Sequence, residues 1–450
     1  MNTVALRAMA AFIAIVAIVA AGAVSAQVFP SPHQHAAAEK NTSQPETGQQ
    51  GGGDGMFPDK QPVEGDTTGG VVTGNNRFAC DLYRHLANDS GADNLFLSPY
   101  SISSALAITC EGARGTTADE IQAVLHLPAN ATLRREEFAR IDAALKSGDA
   151  NCTLQTANAL WAEKAYPFLP EYIALAERWY SANATNLDFV GAPDASRQTI
   201  NRWIEERTGG KIRDLLPPGA VGPLTRLVVT NAIYFKGAWA DPFDANKTRE
   251  EEFRVAENET VTVPMMQRTG EDAVYPYAET AALQVLELPY AHEKNRRGLS
   301  MLVLLPKNGS LAAAGEVLDA QNLSTLRRSL ARERVDVYLP KFTLEGEYYL
   351  RSTLAAMGMP AAFSPGADLS GMDGTKDLVI SDIVHKAFVD VNEEGTEASA
   401  ATGVVVAPGA APPDEGIPVF RADHPFVFLI LDNDTGNILF MGQVVRPVTA

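Results

Sequence analysis

Catalysis needs a nucleophile, an acid–base partner or a metal held at fixed spacing, and this 450-residue chain offers none of these in a recognisable arrangement. It has no G-x-S-x-G elbow, no H-E-x-x-H helix and no C-x-x-C pair. Its seven histidines stand outside any serine or cysteine motif. His33 and His35 form a His-x-His pair, but in a polar segment that supplies no frame for a metal. Cys80, Cys110 and Cys152 lack ligand spacing and are too few for a disulfide framework, so isolated buried thiols are expected rather than a bridge. No metal, no cofactor and no enzymatic activity are therefore expected.

The stretch from Asn392 carries another capacity, that of adding a strand to a sheet. It reads NEEGTEASAATGVVVAPGAAPPDEGIPVF, after a strong apolar strand and before a terminal hairpin. A loop of this length inside a compact domain is either disordered or functional. From Thr396 to Val406 it carries one charge, Glu397. Written as a strand, Thr396, Ala398, Ala400, Thr402, Val404 and Val406 share one face, and that face is uncharged. One unpaired inward charge would cost several kcal/mol, so its absence allows the segment to enter a sheet as a buried strand. No Arg, Lys or large aromatic residue lies between Thr402 and Ile417.

Such a segment needs a folded body to hold it. Phe78, Leu82 and Leu86 recur at helical spacing from Asn75 onward. Tyr100 to Glu111 is apolar nearly all round, the pattern of a buried helix. Thr117 to Leu125 and Ser196 to Thr208 are further helices, the latter with Ile200, Trp203 and Ile204 inward and Gly209-Gly210 at its end. Leu227 to Phe235, Val335 to Leu339 and Leu378 to Val391 are β-branched strands expected to be covered on both faces. Phe426 to Leu431 and Ile438 to Val445 are joined by Asn433-Asp434-Thr435-Gly436 as a hairpin. Helices come mostly first and strands later, which predicts an α+β fold rather than a doubly wound one.

Ahead of the body, Arg7, an apolar run from Ala8 to Val24 and the small residues Val24-Ser25-Ala26 predict an export signal over residues 1–26, or an anchor if it is not cleaved. Residues 27–74, rich in Gly, Gln, Pro, Ser and Thr, read as a flexible linker, and 75–450 as the folded domain. The protein is thus expected to be secreted, or tethered to a membrane. A net charge of −18 argues against nucleic acid as a partner, and Arg134-Arg135 is offset at once by Glu136-Glu137.

Five blocks then occur in a fixed order: NLFLSPYSISSAL from Asn94, GARGTTADEI from Gly112, TNAIYFKGAWADPF from Thr230, VHKAFVDVNEEGTEASAAT from Val384 and FRADHPFVFLI from Phe420. Through them the chain resembles the serpin family from about Asn75 to Pro447. The resemblance implies a serpin fold of the α+β class, with a large central mixed sheet, packed helices, smaller sheets and an exposed reactive-centre loop. It also implies a monomeric, single-use inhibitor of serine, or alternatively cysteine, endopeptidases: the loop is cut, an acyl-enzyme forms, and the freed loop inserts into the main sheet before deacylation. Glu393, Glu394, Gly395, Thr396 and the run Ala398, Ser399, Ala400 and Ala401 match the hinge of inhibitory members. Ser98, Ser101, Asn231 and His385 match the cluster that controls sheet opening, Trp239 the tryptophan where insertion begins, and Lys341 a basic residue expected to pair with Glu393. Family spacing from the hinge glycine places the cut at Gly409–Ala410, with Ala407, Ala410 and Ala411 as alternative positions. Its small residues point to an elastase-like or subtilisin-like serine protease as partner. The rival reading is a serpin-like binding protein or chaperone that does not inhibit, whose hinge would carry bulky or charged residues on the inserting face.

Overall fold

The computed structural model describes residues 70–90, 93–146, 152–292, 298–396 and 416–449, all within one unit spanning Glu64–Ala450. The predicted leader 1–26, nearly all of the predicted linker and the loop residues 397–415 lie outside them.

The first helix, α1, is Val71–Ser90, one turn earlier than the periodicity indicated, with Phe78 and Leu82 fully buried. The second, α2, is Pro99–Gly112, and every one of its residues is buried. Its start is set chemically. Pro99 takes the first helical position, where a missing N–H costs nothing, and the Ser98 hydroxyl accepts the Ser101 N–H at 3.2 Å as N-cap.

Six strands form the sheet that carries the site: β1 (Cys152–Glu163), β2 (Asn183–Leu187), β3 (Leu227–Ala238), β4 (Phe342–Tyr349), β5 (Ile380–Val391) and β6 (Gly395–Thr396). Their order is β4-β5-β6-β3-β1-β2, and β5 also pairs directly with β3. That pair is parallel, which makes the sheet mixed; β4/β5 and β1/β3 are antiparallel. β3 is almost wholly buried, as a strand covered on both faces should be. β5 differs from that expectation: from Lys386 onward buried and half-buried residues alternate, so one of its faces is only partly covered. The helix Pro193–Arg207 lies on one face, where Ile200 and Ile204 pack with Trp161, Val228 and Val384. Trp203 is only half-buried and meets Trp161 edge-on at 5.4 Å. The helix stops where Gly209 and Gly210 enter the left-handed region, at φ 60° and 78°.

A second sheet has more strands and is wholly antiparallel: Leu95–Leu97, Ile438–Val444, Phe426–Asp432, Leu299–Pro306, Leu283–Pro289, Val274–Glu279 and Ala331–Arg334, in that order. The predicted C-terminal hairpin thus sits inside this sheet. A third sheet orders Val419–Arg421, Asp336–Pro340, Glu259–Arg268 and Arg249–Ala256. No disulfide joins the three cysteines. Burial pushes the Cys80 and Cys110 thiols up to about 12 and about 11, which keeps both protonated. Cys152 is half-buried at the start of β1.

Candidate functional site

The strand β5 ends at Val391, and a tight turn returns the chain into the sheet as β6. The Asn392 N–H donates to the Gly395 carbonyl at 2.9 Å, and the Asn392 side-chain oxygen accepts the Glu394 N–H at 3.0 Å. β6 is antiparallel to both neighbours, pairing Thr396 with Val391 on one side, and Gly395 with Ala238 and Thr396 with Gly237 on the other. It is therefore a two-residue wedge between β5 and β3.

Several groups grip the turn. Trp239 donates from its backbone N–H to the Glu394 carbonyl and from Nε1 to the Asn392 carbonyl, both at 2.9 Å. Phe243 N–H donates to the Glu393 carbonyl at 2.8 Å. The Glu393 carboxylate takes Lys341 Nζ at 2.8 Å and the Thr248 hydroxyl at 2.7 Å. Burial works against its ionisation, but these two donors outweigh burial and hold the carboxyl below its usual range.

Thr396 is fully buried, and its hydroxyl lies 2.7 Å from the Tyr290 phenol. Tyr290 stacks on Trp239 at 4.7 Å and meets Phe235 edge-on at 5.0 Å. Gly395 is there for want of a side chain. A Cβ would stand 2.1 Å from the Gly237 carbonyl oxygen and 2.7 Å from Ala238 Cα, both backbone. Gly395→Ala is therefore expected to drive the wedge out and to cost about 1–3 kcal/mol by overpacking. Urea titration of both proteins measures it, and equal midpoints would show that the close approach is not maintained in solution.

The seam below the wedge joins β3 and β5 through eight residue pairs, from Leu227 with Ile380 to Tyr234 with Phe388. Asn231 and His385 face each other near its middle. His385 is fully buried, and its Nε2 accepts the Ser98 N–H at 3.0 Å. Since a backbone N–H can only donate, the ring proton sits on Nδ1 and is given to the Asn231 side-chain oxygen. The Asn231 amide in turn donates to the Ser101 hydroxyl and to Asn158 Oδ1. Asn158 donates to Ser104 at 3.3 Å, and the Ser98 hydroxyl to the Leu439 carbonyl at 2.6 Å. Burial pushes the His385 imidazole down to about 3, so it is neutral at ordinary pH. The cluster thus joins β1, β3, β5, the start of α2 and the seven-stranded sheet.

Of the residues singled out in the sequence, Glu393, Glu394, Gly395, Thr396, Trp239 and Lys341 gather at the wedge. Ser98, Ser101, Asn231 and His385 gather at the seam. Ala398, Ser399, Ala400 and Ala401, and the bond Gly409–Ala410, lie outside the described residues. Sequence reasoning missed Tyr290, Thr248 and Asn158. Only the last had a usable signal, because Leu154, Thr156 and Asn158 alternate along a strand that was not anticipated. At the far end of the loop, Val419–Arg421 runs parallel to Asp336–Pro340. The Arg421 guanidinium lies 3.7 Å from the centre of the Tyr338 ring and pairs with Glu251.

Comparison with known proteins fits this geometry. The model of the family described as Serpin (serine protease inhibitor) matches residues 73–447. A leukocyte elastase inhibitor of Bos taurus is 43% identical over 380 residues, covering 83% of this chain and 98% of the relative. A solved structure described as a highly specific serpin in the insect Tenebrio molitor is 32% identical, with TM-score 0.73, over 84% of this chain and 98% of that one. Human thyroxine-binding globulin, solved with its hormone, is 31% identical with TM-score 0.76, over 84% and 99%. The fold is therefore shared by a serpin described as highly specific and by a thyroxine-binding globulin.

The expectation of a secreted or membrane-tethered protein is corrected by the bovine relative. The match takes up 98% of that inhibitor, so it has no room for a counterpart of the 74 residues read as leader and linker. Among the described residues, no helix is long and apolar enough to cross a membrane. The extracellular assignment, which rested on the leader alone, is withdrawn. With the family model covering most of its length and relatives matched nearly end to end, the chain belongs to the serpin family of serine protease inhibitors and has that family's α+β fold.

Proposed function

We propose that the protein is a single-use inhibitor of serine proteases that works by loop insertion. The observation that carries this reading is the wedge: Gly395–Thr396 is already bonded to both β5 and β3, and antiparallel to each. Strand addition between these two would replace one parallel ladder of eight pairs by two antiparallel ladders, with the buried Gly395 and Thr396 as the first residues of the new strand. A protease that cuts the loop forms an acyl-enzyme on it, and insertion before deacylation drags the enzyme across the molecule and distorts its active site, so the ester is not hydrolysed.

The seam cluster then has a role. An entering strand must part His385 from Asn231, so these bonds keep the sheet shut until the cut frees the loop. Trp239, Lys341 and Glu393 hold the point where opening starts. The small, uncharged residues Ala398, Ser399, Ala400 and Ala401 offer no obstacle to entry, which favours inhibition over a purely binding or chaperone role. The cut is placed at Gly409–Ala410 and the target class as elastase-like or subtilisin-like. The absence of Arg, Lys and large aromatics from Thr402 to Ile417 supports this, as does the similarity to leukocyte elastase inhibitors.

Mixing the purified protein with subtilisin or elastase is expected to give a covalent band that survives SDS, with its larger partner ending at the cut. Loop cleavage with full recovery of protease activity is the result that overturns inhibition and leaves a binding role.

A further inference from the structure

The helix α2 ends on a residue that helix electrostatics disfavour. Glu111 stands in its last turn, where a carboxylate meets the negative end of the helix dipole, and its side chain is only 1% exposed. Two arginines and a tyrosine surround it. Arg134 donates from Nε at 3.0 Å and Nη2 at 2.8 Å to Oε1, and Arg135 from Nε at 2.9 Å and Nη2 at 2.5 Å to Oε2. The Tyr180 hydroxyl adds a bond to Oε1 at 2.9 Å. Burial first, and then the Glu111 charge, push the Tyr180 phenol well above its ordinary range, so it remains a donor. The donors come from two other helices, Ala131–Lys146 and Pro170–Tyr180. The pair Arg134-Arg135, read in the sequence as charge offset by Glu136-Glu137, is instead turned onto Glu111.

The other end of α2 carries Ser98 and Ser101, which lie about 20 Å and about 15 Å from Glu111 at 1.5 Å per residue. We propose that Glu111 is a positioning residue for sheet opening, an inference that rests on the insertion reading above. When a strand enters between β3 and β5, Asn231 and His385 move apart by about 4.8 Å, one strand spacing. The first turn of α2 is bonded to both and can follow only one. Fastened by Glu111 at one end and by the Ser98–Leu439 bond at the other, α2 stays with the seven-stranded sheet. The Ser101–Asn231 bond must then break, and it belongs to the barrier that keeps the uncut molecule closed. An α2 loosened at Glu111 can tilt as the strands part, so its first turn yields with less resistance and the barrier is lower.

Glu111→Gln keeps the shape and removes the charge. Wild type and variant are held without protease, well below their melting temperatures, and the remaining capacity to form the covalent complex is followed in time. E111Q is expected to lose that capacity about tenfold faster, an effect of about 1.4 kcal/mol on the barrier, while passing into a monomer of higher heat resistance. Leu326→Ala, a truncation in the core on the helix Ala320–Arg328, is the control for plain destabilisation. If E111Q decays no faster than wild type, or no faster than L326A at matched stability, the proposal falls. Should E111Q not fold, Arg135→Gln removes only the partner that is 30% exposed, and is expected to speed decay about threefold; no acceleration there overturns the proposal equally. A wild type that never forms a covalent complex sinks the insertion reading and takes this proposal with it, whereas a trapping wild type with a silent E111Q removes this proposal alone.

Discussion

Replacing Thr396 by arginine is expected to cut the yield of covalent protease complex by at least about 100-fold, turning an inhibitor into a substrate. Thr396 is fully buried, its hydroxyl 2.7 Å from Tyr290 and its pocket closed by the rings around that tyrosine. A guanidinium there would be taken out of water, and a buried charge that stays unpaired costs several kcal/mol. Trapping is a race between insertion and deacylation, and about 2.7 kcal/mol on the insertion step is enough for a 100-fold loss. Gel analysis after mixing with subtilisin or elastase reads the yield, and protease recovery reads the substrate path. Thr396→Ser, which keeps the hydroxyl for Tyr290, is expected to trap nearly as well as wild type. An arginine variant that traps normally would show that burial of this position is not needed for insertion.

The second large effect is on pH. The unfolded chain takes up a proton on His385 near 6.5, whereas the buried ring resists protonation down to about 3. Between these values the unfolded state binds more protons than the folded one, so stability falls as pH falls, by up to about 1.4 kcal/mol per unit. Above pH 6.5 this contribution is constant. Glu393 acts lower on the scale: its depressed carboxyl stabilises the fold above the ordinary carboxylate range, and that contribution is lost only as pH drops through its lowered value. Urea midpoints at stepped pH from 7 to 4.5 separate the two, with His385→Gln as reference. Wild type is expected to lose stability more steeply than H385Q across this window. Parallel curves would mean that the imidazole is not held neutral by burial.

How much of this was written in local sequence depends on the element. Tyr100 to Glu111 has no polar stripe, and a helix without one must be covered on all sides, which the complete burial of α2 bears out. The terminal hairpin announced itself through Asn433 to Gly436, because turn chemistry is local. β1 escaped notice, since Thr153, Gln155 and Asn158 dilute its apolar residues, and Asn158 is tolerated there only because Asn231 and Ser104 satisfy it from other elements. The helix Ala131–Lys146 escaped for a related reason. Of its sixteen residues only Arg134, Phe138 and Ile141 are buried, and a buried arginine reads as solvated until its carboxylate is seen. The site itself joins residues far apart in the chain, Ser98 with His385 and Thr396 with Tyr290, and no periodicity reports such distances. The roles proposed for them came only through family resemblance. Tyr290, which no quoted block contains, had to wait for the coordinates.

The position of the terminal hairpin bears on what becomes of the molecule after scission. Everything on the far side of the cut includes Phe426–Asp432 and Ile438–Val444, two neighbouring interior strands whose side chains are almost all buried. They are laced on one flank to Leu299–Pro306 and on the other to Leu95–Leu97. A severed tail with that embedding does not diffuse away. The nicked protein should travel through gel filtration as one particle, and its short piece should come free only in denaturant.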